Sequence, residues 1–390
     1  MLGACQTVAP KPQTNINQFL HDELFPTYLS YELETAETIF HLSPEMKDFM
    51  DENIMVKSDP RDRMRALASG IFEHSDVSIL YQNDANTIAA DTFNNRMANC
   101  LSLTIMTYAL ADYAGIGVDF QEVDIPELWV RRDGSSMLNK HVNLKLFRKR
   151  ENSIITKDGE KFIVWDMSRN YTVDFDQQLA KKRFPKHVIS KERVLAMFYN
   201  NNGVDALIVN NYDKAYSYFK KALQQDPTLM DTFSNLGVLY RRMGHSDKAE
   251  QNFDFAITLA PGDYSVMENL ASLYRVTFRV ELADQITDEL QRKRQDNPYY
   301  HYLLGQKALE QLDAEQAKKH FRRAINLLNG NHEFYFAMAQ TEYLLGNEES
   351  SQRYMKQAIR YSDSEADEER YQHKIDKLVR LTKLSSNNGP

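Results

Sequence analysis

One spacing commits nearly half of this chain. Ala215, Ala249, Ala283 and Ala317 stand 34 residues apart, and the next step falls on Ser351. Seven residues later the same step runs through Ala222, Ala256, Leu290, Ala324 and Ala358. A column of small residues runs Gly203, Gly237, Ala271, Gly305, Ala339, and Phe219, Phe253 and Phe321 share another. A fixed period of this length means stacked supersecondary units, none of which can bury its apolar face alone. Small residues let two antiparallel helices approach closely, and the large ones fill the gaps between successive pairs.

The period and its columns, as in FSNLGVLYRRMGHSDKAEQNFDFAITLAPG at 233–262, resemble the tetratricopeptide repeat. Five repeats are expected at 196–229, 230–263, 264–297, 298–331 and 332–365. The third is degenerate: Thr287 replaces the aromatic residue, and the proline arrives late, at Pro298. Residues 366–390 hold a tail and the amphipathic run EERYQHKIDKLVRLTKL (368–384), read as a helix capping the last repeat, as solenoid ends require. The resemblance implies that the first helix of each pair lines a groove, its inner face carrying Asn200, Arg241, Arg275, Tyr302, Gln306, Phe336, Gln340 and Tyr343. Two arginines beside aromatic residues suit an extended or acidic peptide; the plainer alternative is a row of ordinary exposed side chains.

The 390 residues are enough for two or three domains, and 42% hydrophobic with 26% charged residues is the composition of packed globular protein. A net charge of −8 gives no general attraction for a phosphate backbone, so nucleic acid is not the expected partner. The basic runs at 148–150 and 181–183 lie beside acidic residues and read as solvated surface. No apolar run reaches the roughly 18–20 residues of a membrane-spanning helix. The ten histidines form no HExxH or HxxxH pair, and the two cysteines cannot build a zinc site, so no metal or cofactor is expected.

The first half reads differently. Residues 15–79 carry acidic amphipathic segments, INQFLHDELFP, ELETAETIF and RDRMRALASGIFEH, read as helices, the last starting after Asp59-Pro60. In the core at 80–195, NCLSLTIMTYALADYAGIG (99–117) is an apolar helix opened by Asn99 as cap. Short strands follow at 118–125, 127–133, 141–150 and 161–168, the last two as an antiparallel hairpin, which makes an α+β domain. Cys100 falls in the first helical turn, where free backbone N–H groups and the helix dipole favour a thiolate and a later oxyanion. His141 opens the long strand on the face opposite Val142 and Leu144. Asp166 lies on the neighbouring strand, with Asp174 as a rival. Nucleophile, base and orienting acid are the parts of an activated-thiol site. Each has a plainer explanation: a buried core cysteine, a surface histidine, an aspartate paired with an arginine.

The ordered set in NCLSLTIMTYALADYAGIGVDFQEV, LNKHVNLKLF and FIVWDMS resembles the papain-like core of the transglutaminase-like superfamily, which implies Cys100, His141 and Asp166 as its catalytic residues. The expected fold is therefore an α+β papain/transglutaminase-like domain followed by an all-α tetratricopeptide-repeat solenoid. Two functions compete. One is a thiol-dependent amide hydrolase or acyltransferase, whether peptidase, deamidase or cross-linking enzyme, acting on a protein or peptide while the repeats dock a partner. The other is a catalytically silent scaffold that works through the repeats. Residues 1–14 form a polar tether behind Leu2-Gly3-Ala4-Cys5, which is similar to the lipobox of bacterial lipoproteins. That likeness implies lipidation at Cys5 and a place in the bacterial cell envelope if a signal segment precedes residue 1, and a soluble protein otherwise.

Overall fold

The computed structural model describes residues 15–73, 80–81, 85–123, 129–132, 135–138, 141–148, 154–157, 160–163, 170–173, 185–261, 263–362 and 371. They fall into two units: one within 1–122, 142–175 and 187–283, the other within 123–141, 176–186 and 284–390.

In the first unit, short helices α1 (Ala36–Ile39), α2 (Pro44–Met50), α3 (Pro60–Glu73) and α4 (Ala89–Asn95) precede α5 (Cys100–Tyr113). Thr35 and Ser43 cap α1 and α2 through their hydroxyl oxygens, and Pro44 occupies the first turn of α2. Eleven of the fourteen α5 residues are buried, which is what a helix with little polar face must achieve. It shares one core with Met46, Met50, Leu67, Val142, Leu144, Leu146 and Val173, and that core runs on into Val194, Phe198, Tyr218 and Leu229 of the helices that follow.

A four-stranded sheet has the order β10 (Lys186–Ile189), β3 (Ile116–Val123), β6 (His141–Arg148), β9 (Tyr171–Val173). Strands β6 and β9 are antiparallel, with Leu144 opposite Val173. Among the described residues the expected hairpin between 141–150 and 161–168 is not formed. Strand β7 (Ile154–Lys157) pairs instead with β8 (Glu160–Ile163), Lys157 facing Glu160. Two intervening residues, Asp158-Gly159, bring together only the strands that directly flank them. Strands β4 (Trp129–Arg132) and β5 (Ser135–Leu138) form another antiparallel pair.

The segment INQFLHDELFP is not the expected amphipathic helix. It forms 3₁₀ turns at Ile16–Phe19 and Asp22–Leu24, followed by a third at Tyr28–Ser30. Its apolar side chains are held by a distant surface rather than by one another.

The repeats follow as helix pairs in the first unit, α6 (Lys191–Ile208) with α7 (Tyr212–Gln225) and α8 (Met230–Arg242) with α9 (Ser246–Leu259), and then α10 (Tyr264–Val276); the next helix, α11 (Val280–Gln295), has its first four residues in the first unit. In the second unit α12 (Pro298–Glu310) pairs with α13 (Ala314–Leu327), and α14 (His332–Leu344) with α15 (Glu348–Arg360). In three of the pairs the small and aromatic columns meet. A methyl group placed on Gly203, Gly237 or Gly305 would come within 2.5 Å of the ring of Phe219, Phe253 or Phe321 respectively. Where the column holds Ala339, the large partner sixteen residues on is Met355, and both lie in one core. Ser351 keeps its place in the alanine column because its hydroxyl donates to the Ala339 carbonyl at 2.7 Å. Residues 210, 244, 278, 312 and 346 all have φ between 58° and 84°, and the series reads Asn, Gly, Phe, Leu, Gly. Of the capping run 368–384 only Tyr371 is described; it is buried, and its hydroxyl meets His332 Nδ1 at 2.9 Å.

Candidate functional site

Along the first helices of the first unit, hydrogen bonds recur at steps of 35 residues. Asn235 donates to Asn200 Oδ1 at 2.9 Å, Asn269 to Ser234 Oγ at 3.2 Å, and Arg242 to the Leu207 carbonyl at 2.7 Å. Asn200 is therefore 7% exposed and engaged with the next repeat, a spacer between helices rather than a group presented to a ligand. Arg241 differs. Its guanidinium is half-buried, and its single partner among the described residues is the Asn269 carbonyl at 3.5 Å. Burial pushes its pKa down, and the adjacent Arg242 adds to the effect. Arg275, on α10, is exposed.

In the second unit Tyr302 is half-buried against Phe321 and Phe334, and its hydroxyl accepts from Gln306 at 3.0 Å. Phe336 stacks on Tyr371 with ring centres 4.8 Å apart, so its ring already has a cover. Gln306, Gln340 and Tyr343 are exposed.

A second surface has no counterpart in the sequence reading. Residues 16–31 lie as a strap on the first two repeats. Phe19 is buried with its ring 5.1 Å from Phe233 and 4.5 Å from Phe255, and its carbonyl accepts from the Tyr240 hydroxyl at 3.0 Å. Phe25 stacks flat on Tyr216 at 4.0 Å. Between them the Asp22 carboxylate accepts from Lys220 Nζ and the Tyr216 hydroxyl, each at 2.7 Å, and from Tyr28 at 2.8 Å. Burial alone would raise the Asp22 pKa, but these hydrogen bonds outweigh it and hold the carboxyl low. Burial pushes the Tyr216 hydroxyl up, and its donation to Asp22 pushes it further. Further along, Asp213 accepts from the Thr27 backbone N–H at 2.8 Å and from the Thr27 hydroxyl, and Tyr31 donates to Asn211 at 3.0 Å. The Tyr199 hydroxyl donates to the Glu34 carbonyl at 2.6 Å, and burial pushes its pKa up to about 12.

At the expected thiol site, Asn99 caps α5 by accepting from the Ser102 N–H at 2.8 Å. The Ser102 hydroxyl donates to the Ala85 carbonyl and accepts from the Thr87 N–H, tying residues 85–87 to the helix start. Cys100 is a free thiol, 6% exposed. His141 opens β6 and is 4% exposed, so the strand face it shares with fully buried Asn143 is covered rather than solvated. The Thr104 hydroxyl, one turn after Cys100, donates to the Val142 carbonyl at 3.4 Å. Asp166, its rival Asp174, and Cys5 lie outside the described residues. Among the described residues no cluster of His, Cys, Asp and Glu is arranged to hold a metal, and no helix is long and apolar enough to cross a membrane.

The family model of the tetratricopeptide repeat matches residues 218–251, from the middle of α7 into α9. The match spans one 34-residue period, and the helix pairs on either side of it carry the same columns of small and large residues. No curated protein matches the sequence. Among solved structures, that of MamA is 18% identical over 44% of this chain and 94% of its own, with a TM-score of 0.24. PilF of Pseudomonas aeruginosa is 19% identical over 51% and 90%, TM-score 0.25. A thermophilic tetratricopeptide-repeat protein of Thermus thermophilus is 16% identical over 47% and 98%, TM-score 0.25. Scores this low define no shared arrangement of the repeats.

Proposed function

We propose that this protein is a docking scaffold whose first-helix face binds an extended peptide carrying an anionic group. The observation that carries the reading is Arg241: a half-buried guanidinium beside Arg242, with one long bond to a carbonyl and no carboxylate among the described residues. Partly desolvating a cation costs free energy unless something anionic joins it, and a peptide carboxylate would. Exposed Arg275 on α10 adds a second positive group. Fluorescence anisotropy with a labelled Glu/Tyr peptide and its Gln/Tyr counterpart tests this. The acidic probe should bind tighter, and Arg241→Gln should weaken it about tenfold, roughly 1.4 kcal/mol, without lowering the melting temperature. Equal binding of both probes to both proteins would refute the reading.

A second reading keeps the thiol chemistry, supported by the Asn99 cap that sets Cys100 at the first position of a long buried helix. Cys100 would attack an amide carbonyl as His141, oriented by Asp166, takes the thiol proton and returns it to the leaving amine. The thioester would then pass to water or to another amine. Iodoacetamide labelling at pH 6 that His141→Ala abolishes would support it; a thiol that labels only near pH 8.5, or not at all, would remove it. A lipid on Cys5 would tether such a protein to a membrane, and incorporation of a fatty-acid analogue that Cys5→Ala fails to abolish would exclude it.

A further inference from the structure

The strap is seated as a bound peptide is seated. Of residues 16–31 only Phe19 and Phe25 are fully buried, six positions apart, while their neighbours stay partly or wholly in solvent. Each ring fills an aromatic site built by the repeats: Phe233 and Phe255 for Phe19, Tyr216 for Phe25. The carboxylate halfway between them meets a lysine and a tyrosine hydroxyl. Two buried anchors bracketing a charge-assisted hydrogen bond, with little else covered, is the energy distribution of a peptide hot spot rather than of a core element. The strap has only 3₁₀ turns of three or four residues as internal structure, so it brings little cooperativity of its own. Beyond Phe25 it stays on α7, with Thr27 bonded to Asp213 and the Tyr28 hydroxyl accepting from Lys220 at 3.0 Å. Beside this contact lies a cleft of about 590 Å³, lined by Tyr28, Tyr31, Glu34, Ser217, Lys220 and Lys221 among others.

We propose that the α7–α9 face is a peptide-docking site for segments that present two aromatic side chains six residues apart with a carboxylate between them, and that residues 16–31 are its resident competitor. The inference extends the scaffold reading to a second surface, since Arg241 and Arg275 contribute nothing to it. A resident occupant tied to the same chain has a high effective concentration. It lowers the apparent affinity for an incoming peptide by the fraction of time it occupies the site. Partners would be admitted when the strap is released, and the pattern FLHDELF would be matched by their own aromatic and acidic residues.

The experiment uses the full chain with a protease site inserted at the exposed Glu32. Cutting turns the strap into a separate peptide without altering any anchor. The probe is a fluorescein-labelled peptide of residues 15–31, measured by anisotropy before and after cutting. The cut protein should exchange its strap for the probe and bind it at least tenfold tighter than the uncut protein does. A probe with Asp22→Lys should lose at least tenfold, and one with Phe19→Ala and Phe25→Ala should not bind. The uncut Phe25→Ala chain should also gain probe binding, which supplies a second route should cutting be incomplete. Loss of helical circular dichroism on cutting would overturn the proposal, because the strap would then be an integral part of the core. Binding no tighter than that of a scrambled peptide would overturn it too. The Glu/Tyr probe is titrated in parallel, so failure at this face and failure at the first-helix face give different results.

Discussion

The pairing of small and aromatic columns predicts the effect of Gly237→Ala. The added methyl would lie 2.5 Å from Cε1, 2.7 Å from Cδ1 and 2.8 Å from Cζ of Phe253. Phe253 is wholly buried, so its ring cannot swing into solvent. Forcing a methyl into such a contact costs about 1–3 kcal/mol. Replacing glycine by alanine inside a helix returns about 1 kcal/mol of propensity, which leaves a net loss of roughly 0–2 kcal/mol. The fifth repeat indicates the remedy, because Ala339 sits there against Met355. Phe253→Met alone should cost about 1–2 kcal/mol, between a conservative swap and a full truncation. Combined with Gly237→Ala it should cost less than the two changes added separately, with a coupling of about 1–2 kcal/mol. Urea unfolding of the four proteins, followed at 222 nm and compared at constant slope, measures that coupling. A Gly237→Ala protein more stable than its parent, or costs that add within about 0.5 kcal/mol, would refute the steric argument.

Three further outcomes are expected. Burial, with Lys248 beside it, holds the His21 pKa below its ordinary 6.5; a depressed folded pKa means the contribution is complete above 6.5 and lost as pH falls through the folded value. Asp22, held below its ordinary 3.8, acts with the same sign further down. Hydrogen exchange of the 16–31 amides, corrected for intrinsic rates, should therefore quicken from pH 7.5 to 5, and a His21→Gln chain should lack that step. Arg193 bonds Glu122 at 3.0 Å and Asp226 at 2.8 Å; Arg193→Met strands two mostly buried carboxylates and should cost about 3 kcal/mol in a urea titration, the lower end for a broken buried pair. Leu312 is 92% exposed at φ 62°, a position that is glycine at 244 and 346 of the same series. Leu312→Gly should leave the melting temperature unchanged or raise it, because relief of roughly 1–2 kcal/mol of left-handed strain meets a smaller entropic loss of about 0.5–1 kcal/mol.

What the sequence made legible is what neighbouring residues decide. Asn99 followed by an apolar run specifies the start of α5, and the 34-residue columns specify the helix pairs, because caps and periodicity act within a turn or two. Residues 16–31 misled for the same reason: Ile16, Phe19, Leu20 and Leu24 imitate the spacing of an amphipathic helix, while the surface that claims Phe19 lies more than two hundred residues away. Two aromatic residues six apart around Asp22, ending at Pro26, were the only local sign of an extended segment. His141 and Asn143 alternate with Val142 and Leu144 as if on a solvated face, yet both faces of β6 are buried. Alternation reports polarity, not exposure, and a covered polar face is where sequence periodicity stops being informative. The groove residues divide likewise. The period places Arg241 and Asn200 on equivalent first helices, but only tertiary packing decides that Asn200 bonds to Asn235 while Arg241, among the described residues, meets no carboxylate.

The strap also sets an order on the birth of the protein. Phe19 leaves a ribosome 221 residues ahead of Tyr240, whose hydroxyl donates to the Phe19 carbonyl. At about 5–20 residues per second the two are separated by roughly 11–44 s of synthesis. Phe25 has no aromatic site to enter until Tyr216 is made, and the site of Phe19 is complete only with Phe255. The nascent chain must carry the Phe25 ring in water, or lend it to a chaperone, until α7 has emerged, and the Phe19 ring until α9 has.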